Sequence, residues 1–364
     1  MTIILGLDIG GANTKAALLY YKEDKIEESY SYIEHFPFWE KTIKDIPVML
    51  LRVIDKLFES TNFNLEMVDN VAVTITAELS DAFETKREGI LLILEAIQKI
   101  LNKKKLRFIT NTCQFFNYEK AKSNYQLIAG ANWASTALFL GVFISNCILI
   151  DAGSTTIDII PILNSVPVPQ GKDDISRLIN HELIYTGGLR ATIPSITHHV
   201  PYKGKKVRIS FEKFALISDV HRILNNITKA EYINDTADKR SKSIENCYAR
   251  LSRIICTDVE TVLKEDLDTI AKFIYLKQVS IVIQEIRAFM DDLTIRFKVF
   301  VDNPQFVVTG LSADFLVKKP LIDLGYTNII KFEELTNIPD KISSSAFAVA
   351  GALYNELNNL NIGK

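Results

Sequence analysis

The chain has 364 residues, of which 48% are hydrophobic and 24% charged, a composition typical of a folded globular protein long enough for two domains. Its 42 basic and 44 acidic residues give a net charge of -2, so there is no general attraction to nucleic acid or to an anionic membrane. Any anion-binding site must therefore be local.

The cysteines and the start of the chain indicate the compartment. The 4 cysteines have no CxxC spacing, which predicts neither a metal site nor a disulfide framework. No basic leader precedes the first apolar run, and the longest apolar run, residues 138–150, is too short to cross a bilayer. We therefore expect a cytoplasmic protein with neither a membrane nor a nucleic-acid partner.

The chain opens with a predicted strand, a polar turn and a second strand. Apolar residues flank the turn, and Asp8-x-Gly10 introduces it. Backbone amides in such a turn can bind a phosphate or diphosphate, and Asp8 at the strand end can hold a hydrated Mg²⁺. The residues that we expect to contact the anion here are Gly10, Gly11, Asn13 and Lys15.

Two carboxylates follow the next buried strand. Residues 70–76 are apolar and β-branched, which predicts a strand, and Glu78 and Asp81 come after its carboxyl end. Ligands of open α/β sheets bind at the carboxyl ends of strands. Glu78 and Asp81 are therefore candidate catalytic residues, and the alternative is that they begin a solvated helix.

The hairpin pattern recurs in the middle of the chain. Asp151-x-Gly153 interrupts the apolar run of residues 148–160, and the hydroxyls of Ser154 and Thr155 follow it. Alignment of Asp8 with Asp151 predicts an internal duplication, in which Asp151 is a second Mg²⁺ ligand and catalytic residue, whereas two unrelated hairpins are the alternative. Neither a Walker loop nor a dinucleotide-binding fingerprint is present.

Further segments add candidate contacts. A glycine-rich turn precedes Arg190, which could bind the diphosphate. Asn132 opens a small-residue helix and Thr309-Gly310 ends a predicted strand, so these three residues are candidates for nucleotide or substrate contacts. We also predict an extended strand at residues 162–169. The lobe boundary is placed near residue 146, with an N-terminal lobe at 1–145 and a C-terminal lobe at 146–364 that contains a helix-rich insertion at about 165–300.

These landmarks, in this order, resemble the hydantoinase/oxoprolinase-related branch of the superfamily that includes sugar kinases, Hsp70 and actin. Six sequence blocks make the resemblance more specific, at residues 10–15, 73–81, 131–133, 149–161, 182–187 and 238–247. They are similar to the archaeal ether synthases of methanofuran biosynthesis, a family also linked to one-carbon transfer with tetrahydromethanopterin.

The resemblance implies both a fold and a reaction. The fold is a duplicated, two-lobed α/β structure of the actin-like, ribonuclease H-like type, with a cleft between the lobes. The reaction joins an (aminomethyl-furanyl)methyl diphosphate to the phenol of γ-glutamyltyramine and releases diphosphate, with Mg²⁺ and without ATP. Glu78 or Asp81 would be the base that takes the phenol proton, and a homo-oligomer is compatible with the resemblance.

Two other functions fit the same fold. An ATP-dependent kinase or a hydantoinase/oxoprolinase-type hydrolase would use Thr309-Gly310 for adenosine and Asp151 near the γ-phosphate. A regulator that binds a nucleotide without catalysis is the other alternative, because a fold does not determine a function.

Overall fold

The structure is a computed structural model that describes residues 1–362. In the first part of the chain the strands and helices are β1 (Thr2–Gly10), β2 (Asn13–Lys22), β3 (Lys25–His35), α1 (Asp45–Phe58), β4 (Asn70–Thr76), α2 (Lys86–Ile100), β5 (Leu106–Ile109), β6 (Phe115–Phe116), α3 (Tyr118–Ser123), α4 (Tyr125–Ile128) and α5 (Asn132–Gly141).

The second part begins with a hairpin and contains the longer helices. Its elements are β7 (Cys147–Ala152), β8 (Ile157–Leu163), β9 (Val166–Pro167), α6 (Asp174–Ile179), β10 (Leu183–Ile184), β11 (His199–Tyr202), β12 (Lys205–Arg208), α7 (Ile217–Ile223), α8 (Ile244–Arg253), α9 (Lys264–Arg296), β13 (Phe306–Thr309), α10 (Lys318–Asp323), β14 (Ile329–Lys331), α11 (Phe332–Thr336) and α12 (Ser344–Ile362). A π-helical turn at Ala313–Val317 precedes α10.

The chain forms two compact units. The first contains residues 1–147, 160–179 and the segment from 331 to the last described residue, and the second contains residues 148–159 and 180–330. The sequence predicts a single boundary near residue 146, which would place the segment from residue 331 onward in the C-terminal lobe. That segment lies in the first unit because α12 packs on β1 and α5.

A six-stranded sheet forms the centre of the first unit. Its strand order is β3-β2-β1-β4-β5-β6, in which β1, β2 and β3 are antiparallel neighbours and β4 and β5 run parallel to β1. The strands β1 and β4 are buried along almost their whole length, which is why they read as continuous apolar runs. Helix α1 covers the sheet with apolar residues at helical spacing, among them Ile46, Met49, Leu50 and Val53.

The second unit repeats this arrangement. Its sheet has the order β10-β8-β7-β13-β14, with β10 antiparallel to β8 and β13 parallel to β7. In both units, therefore, a hairpin stands beside a parallel strand that the chain reaches through a crossover. This repeated order confirms the predicted α/β fold and its internal duplication.

One predicted strand is wrong in its extent. The sequence suggested a single strand at residues 162–169, but β8 ends at Leu163 and β9 starts at Val166. Asn164 and Ser165 form the turn between them, with φ angles of 51° and 67°. This left-handed pair makes a tight hairpin turn, and Asn is among the residues that tolerate it best.

None of the helices in the described chain is long and apolar enough to cross a membrane.

Candidate functional site

The turn of the first hairpin, residues 10–13, is supported by the loop that follows β3. The backbone N–H of Phe36 donates to Ala12 O at 2.9 Å, and that of Phe38 donates to Gly11 O at 3.0 Å. Both phenylalanine rings are buried and anchor the loop. In a trans peptide the N–H points away from the preceding C=O, so the amides after Gly11 and Ala12 point away from this loop. A turn with amides in this orientation can bind an anion.

Asp8 lies at the end of β1, 4% exposed, directly before this turn. Its Oδ2 accepts a hydrogen bond from Ser345 Oγ at 2.5 Å and lies 3.3 Å from Lys15 Nζ. Lys15 Nζ in turn donates to Ser345 Oγ at 3.1 Å. The positive charge of Lys15 is thus held next to the turn, and its contact with an anion stays a prediction.

The other oxygen of Asp8 bears on the predicted Mg²⁺ site. Asp8 Oδ1 is buried and accepts no hydrogen bond from any residue that the structure describes. A carboxylate oxygen without a donor fits a hard cation such as Mg²⁺. Among residues 1–362 no three His, Cys, Asp or Glu side chains come together as a metal cluster. Since Mg²⁺ usually retains several waters and binds one or two carboxylates plus phosphate oxygens, Asp8 fits such a site.

The structure distinguishes between the two candidate bases. Glu78 is 2% exposed, whereas Asp81 is exposed. Burial raises the pKa of Glu78 to about 7, and the nearby Asp174 carboxylate also raises it, against the opposing effects of a backbone hydrogen bond and of Lys86. Glu78 Oε2 accepts no hydrogen bond from the described part of the chain. Glu78 can therefore exchange a proton near neutral pH.

A salt bridge lies next to Glu78. Lys86 Nζ, at the start of α2, is 3.2 Å from Asp174 Oδ2. Asp174 begins α6 and also lies close to Gly130, where a Cβ atom would be 3.1 Å from Asp174 Oδ1. The carboxyl end of β4, the start of α2 and the start of α6 thus meet at one place in the first unit.

The turn of the second hairpin, residues 153–156, is held by the glycine-rich segment 187–190. Gly187 N donates to Thr155 O at 2.8 Å, and Gly188 N donates to Gly153 O at 3.0 Å. Leu189 N and Arg190 N both donate to Ser154 O, at 2.9 and 3.1 Å. We call residues 187–190 the clamp. Because the turn directs its carbonyls at the clamp, the amides that follow them, at residues 154–156, point the other way.

Two further predicted residues lie beside Asp151. Thr309 pairs in register with Asp151 on the adjacent parallel strand, and Gly310 follows it. A Cβ atom at Gly310 would be 2.6 Å from Asp151 Oδ1. Arg190 belongs to the clamp itself, with its side chain half-buried. The structure therefore brings Asp151, Gly153, Ser154, Thr155, Arg190, Thr309 and Gly310 together within the second unit.

The remaining candidates lie in the first unit. Asn13 starts β2, and its Oδ1 is 3.0 Å from His35 Nδ1. Asn132 starts α5, where its carbonyl accepts hydrogen bonds from Ser135 Oγ at 2.8 Å and Thr136 Oγ1 at 3.2 Å.

Sequence reasoning missed two serines that contact the hairpins. Ser345, near the start of α12, donates to Asp8. Ser312 Oγ donates to the carbonyls of Ala152 and Gly153, both at 2.9 Å. Each serine is remote in sequence from the hairpin that it contacts. No local sequence signal indicates these contacts, because they form only when distant elements meet.

Comparison with known proteins gives matches along most of the chain. The family described as hydantoinase/oxoprolinase matches residues 69–354. A protein of Methanocaldococcus jannaschii, named "(4-{4-[2-(gamma-L-glutamylamino)ethyl]phenoxymethyl}furan-2-yl)methanamine synthase", is 36% identical over 357 residues, which cover 98% of this chain and 99% of that protein. A protein of the same name from Methanococcus vannielii is 30% identical over 216 residues, or 58% of this chain and 93% of its own length.

Among solved structures, this chain is similar to component A of the (R)-2-hydroxyglutaryl-CoA dehydratase of Acidaminococcus fermentans. The two share 12% identity with a TM-score of 0.47, over 98% of this chain and 99% of that one.

Proposed function

The chain belongs to the hydantoinase/oxoprolinase family, and from this membership together with the likeness to named synthases we propose that it is an ether-forming transferase of methanofuran biosynthesis. It joins the phenol oxygen of γ-glutamyltyramine to the methyl carbon of an (aminomethyl-furanyl)methyl diphosphate. The observation that carries the proposal is the 36% identity that extends over 98% of this chain and 99% of the M. jannaschii synthase. The name of that relative describes a phenoxymethyl-furan, which is an aryl ether.

The reaction exchanges one C–O bond for another. The bond from the furan-methyl carbon to the diphosphate breaks, and the electron pair leaves with the diphosphate. The bond from that carbon to the phenol oxygen forms, and the phenol proton passes to a base. The furan ring stabilises positive charge on its methyl carbon, so the barrier depends mainly on how well the site stabilises the negative charge of the leaving diphosphate.

We assign the base to Glu78. A free phenol has a pKa of about 10, so a carboxylate must accept its proton as the new C–O bond forms. With a pKa of about 7, Glu78 is a stronger base than an ordinary carboxylate and is still largely ionised slightly above neutral pH. Asp81, which is exposed, lacks the burial that would strengthen it as a base.

In this proposal the turn of each hairpin is a phosphate-binding element within its own unit. Lys15 supplies positive charge beside the first turn and Arg190 beside the second, while the backbone amides of residues 12–13 and 154–156 and the hydroxyls of Ser154 and Thr155 donate hydrogen bonds. Asp8 and Asp151 would each be a Mg²⁺ ligand in its own unit, and Mg²⁺ when bound neutralises charge on the diphosphate. No ATP is needed, because the diphosphate ester is already activated.

Incubation of the purified protein with the furan diphosphate, γ-glutamyltyramine and Mg²⁺ tests the function. We expect mass spectrometry to detect the coupled ether and an equal amount of diphosphate, to the same extent with and without ATP. Coupling that requires ATP, or ATP hydrolysis without coupling, would instead indicate the kinase or hydrolase alternative. ATP binding without any turnover would indicate the regulator.

A further inference from the structure

A single buried glutamine holds the clamp from the side opposite the second hairpin. Gln278 lies near the middle of α9 and is 0% exposed. Its Nε2 donates to Thr186 Oγ1 and to Gly187 O, both at 3.0 Å. Gly187 then donates its own N–H to Thr155 O in the turn of the second hairpin at 2.8 Å. Gln278 is thus one residue removed from the turn that we propose binds the diphosphate.

The orientation of the Gln278 amide is determined from both ends. Gly187 O can only accept, so the nitrogen of the amide must face the clamp. The Gln278 Oε1 must then face His221, whose Nε2 lies 3.0 Å away. On the other side of the imidazole, Asn226 Nδ2 lies 3.1 Å from His221 Nδ1 and can only donate to it. His221 therefore carries its proton on Nε2, as the Gln278 oxygen requires.

The protonation state of His221 is constant under physiological conditions. The imidazole is fully buried, and burial lowers its pKa to about 3, although the hydrogen bond to Gln278 opposes this. Phe315 and Tyr275 pack against it, with ring centroids at 4.5 and 5.8 Å. A neutral His221 has a single N–H, which fixes the direction of every hydrogen bond in this series. Asn226 donates to His221, His221 donates to Gln278, and Gln278 donates to the clamp.

We propose that Gln278 is a positioning residue for diphosphate binding. The hydrogen bond from Gln278 to Gly187 O fixes the clamp so that its N–H groups donate to the carbonyls of the turn. The amides of residues 154–156 are then directed at the anion. This inference rests on the proposed function. It assigns no contact between Gln278 and the substrate, because Gln278 is buried behind the clamp.

Substitutions of Gln278 separate this role from general stability. Gln278→Glu is nearly isosteric but replaces the donating nitrogen with an oxygen that faces the acceptor Gly187 O, and Gln278→Met removes all hydrogen bonds from this position. Thr186→Val is a milder variant that removes one acceptor of the Gln278 amide. Tyr232→Phe is the matched control, since it deletes a buried hydrogen bond of 2.9 Å to Asp219 in the same unit and does not touch the clamp.

The readouts are steady-state kinetics, calorimetry with inorganic diphosphate, and hydrogen exchange of the peptides that contain residues 153–156 and 187–190. For Gln278→Glu and Gln278→Met we expect the KM for the furan diphosphate and the Kd for diphosphate to rise about tenfold, with a smaller rise for Thr186→Val. The KM for γ-glutamyltyramine should stay within about twofold in all of them. Exchange at both peptides should be faster than in the control.

The inference is overturned if the variants that fold bind diphosphate as wild type does, or if both KM values rise together. In that case the wild-type enzyme would still make the ether, and the proposed function would stand. A wild-type protein that neither couples the substrates nor binds diphosphate would overturn both.

Discussion

At the scale of single residues, the burial of Glu78 leads to the most direct prediction. Gln cannot accept the phenol proton, so Glu78→Gln should lower kcat by about 10²- to 10⁴-fold, the usual contribution of a general base. The coupling assay measures it. Asp81→Asn tests the rival base, and a loss of activity in Asp81→Asn with normal turnover in Glu78→Gln would contradict the assignment to Glu78.

The same residue should make stability depend on pH. The pKa of Glu78 is about 7 in the folded protein and 4.5 without the influence of the fold. Between these values the folded state keeps a proton that the unfolded state has lost, so the contribution to stability is complete below the lower pKa and is lost as pH rises through the upper one. Gln at this position does not ionise and avoids that loss.

We therefore expect Glu78→Gln and wild type to unfold alike at about pH 4.5, and the variant to be more stable by on the order of 3 kcal/mol at about pH 8. Urea denaturation at both pH values measures the difference. A stability difference that is the same at both pH values would show that Glu78 titrates normally. The expected variant is thus less active and more stable, as is common for substitutions of strained or buried catalytic groups.

The sequence could not choose between Glu78 and Asp81, because both follow the same strand. Their burial is decided by distant packing. Gly89, in the first turns of α2, lies against the Glu78 backbone so closely that a Cβ there would be 2.9 Å from Glu78 Cα. A sequence pattern contains no information on which residue of a turn a later helix will cover.

At the scale of elements, the clamp depends on a close approach of two backbones. A Cβ at Gly187 would lie 2.6 Å from both Ser154 C and Thr155 N. Gly187→Ala must therefore separate the clamp from the turn, and we expect the affinity for diphosphate to fall about tenfold or more. Calorimetric titration with diphosphate measures it.

The control for this variant is Gly204→Ala. Gly204 has a φ of 73°, so alanine is strained there, but no atom lies within 4 Å of the added Cβ. It should lose some stability and retain full diphosphate affinity. Equal diphosphate affinities in Gly187→Ala and Gly204→Ala would show that the clamp does not contribute to diphosphate binding.

The packing of α12 on β1 makes a separate prediction for the first unit. A Cβ at Gly6 would overlap the carbonyl oxygen of Ala346, whereas a Cβ at Gly11 in the same hairpin would be 4.0 Å from its nearest neighbour, Ala77 Cα. Gly6→Ala should therefore destabilise the protein by about 1 to 3 kcal/mol or more, and Gly11→Ala by much less. Chemical denaturation measures both, and equal stabilities would contradict the close packing of α12.

The sequence predicted the hairpins because their signals are local. An Asp-x-Gly turn between two apolar runs identifies both β1–β2 and β7–β8 from adjacent residues alone. The predicted boundary near residue 146 assigned α12 to the C-terminal lobe, although the small residues of α5 and α12 allow the close packing that places it in the first unit. The roles of Ser312 and Gln278 likewise depend on elements that meet only after folding.

At the scale of the whole molecule, the duplicated strand order was predictable and the detail of each half was not. Two copies of one motif imply two copies of one sheet, and the orders β3-β2-β1-β4-β5 and β10-β8-β7-β13-β14 correspond position by position. The insertions differ, because the second unit contains the helices α7, α8 and α9, and α9 carries Gln278. Duplication thus preserved the two hairpins while the surrounding helices diverged.

The central claim is that the protein binds a diphosphate and not ATP. Calorimetric titration of wild type, Asp8→Asn and Asp151→Asn with diphosphate and with ATP, each with and without Mg²⁺, tests it most directly. We expect wild type to bind diphosphate in a Mg²⁺-dependent manner and each variant to lose most of that affinity. We expect none of the three proteins to bind ATP. Tight binding of ATP by wild type, or diphosphate binding that survives both substitutions, would contradict the claim.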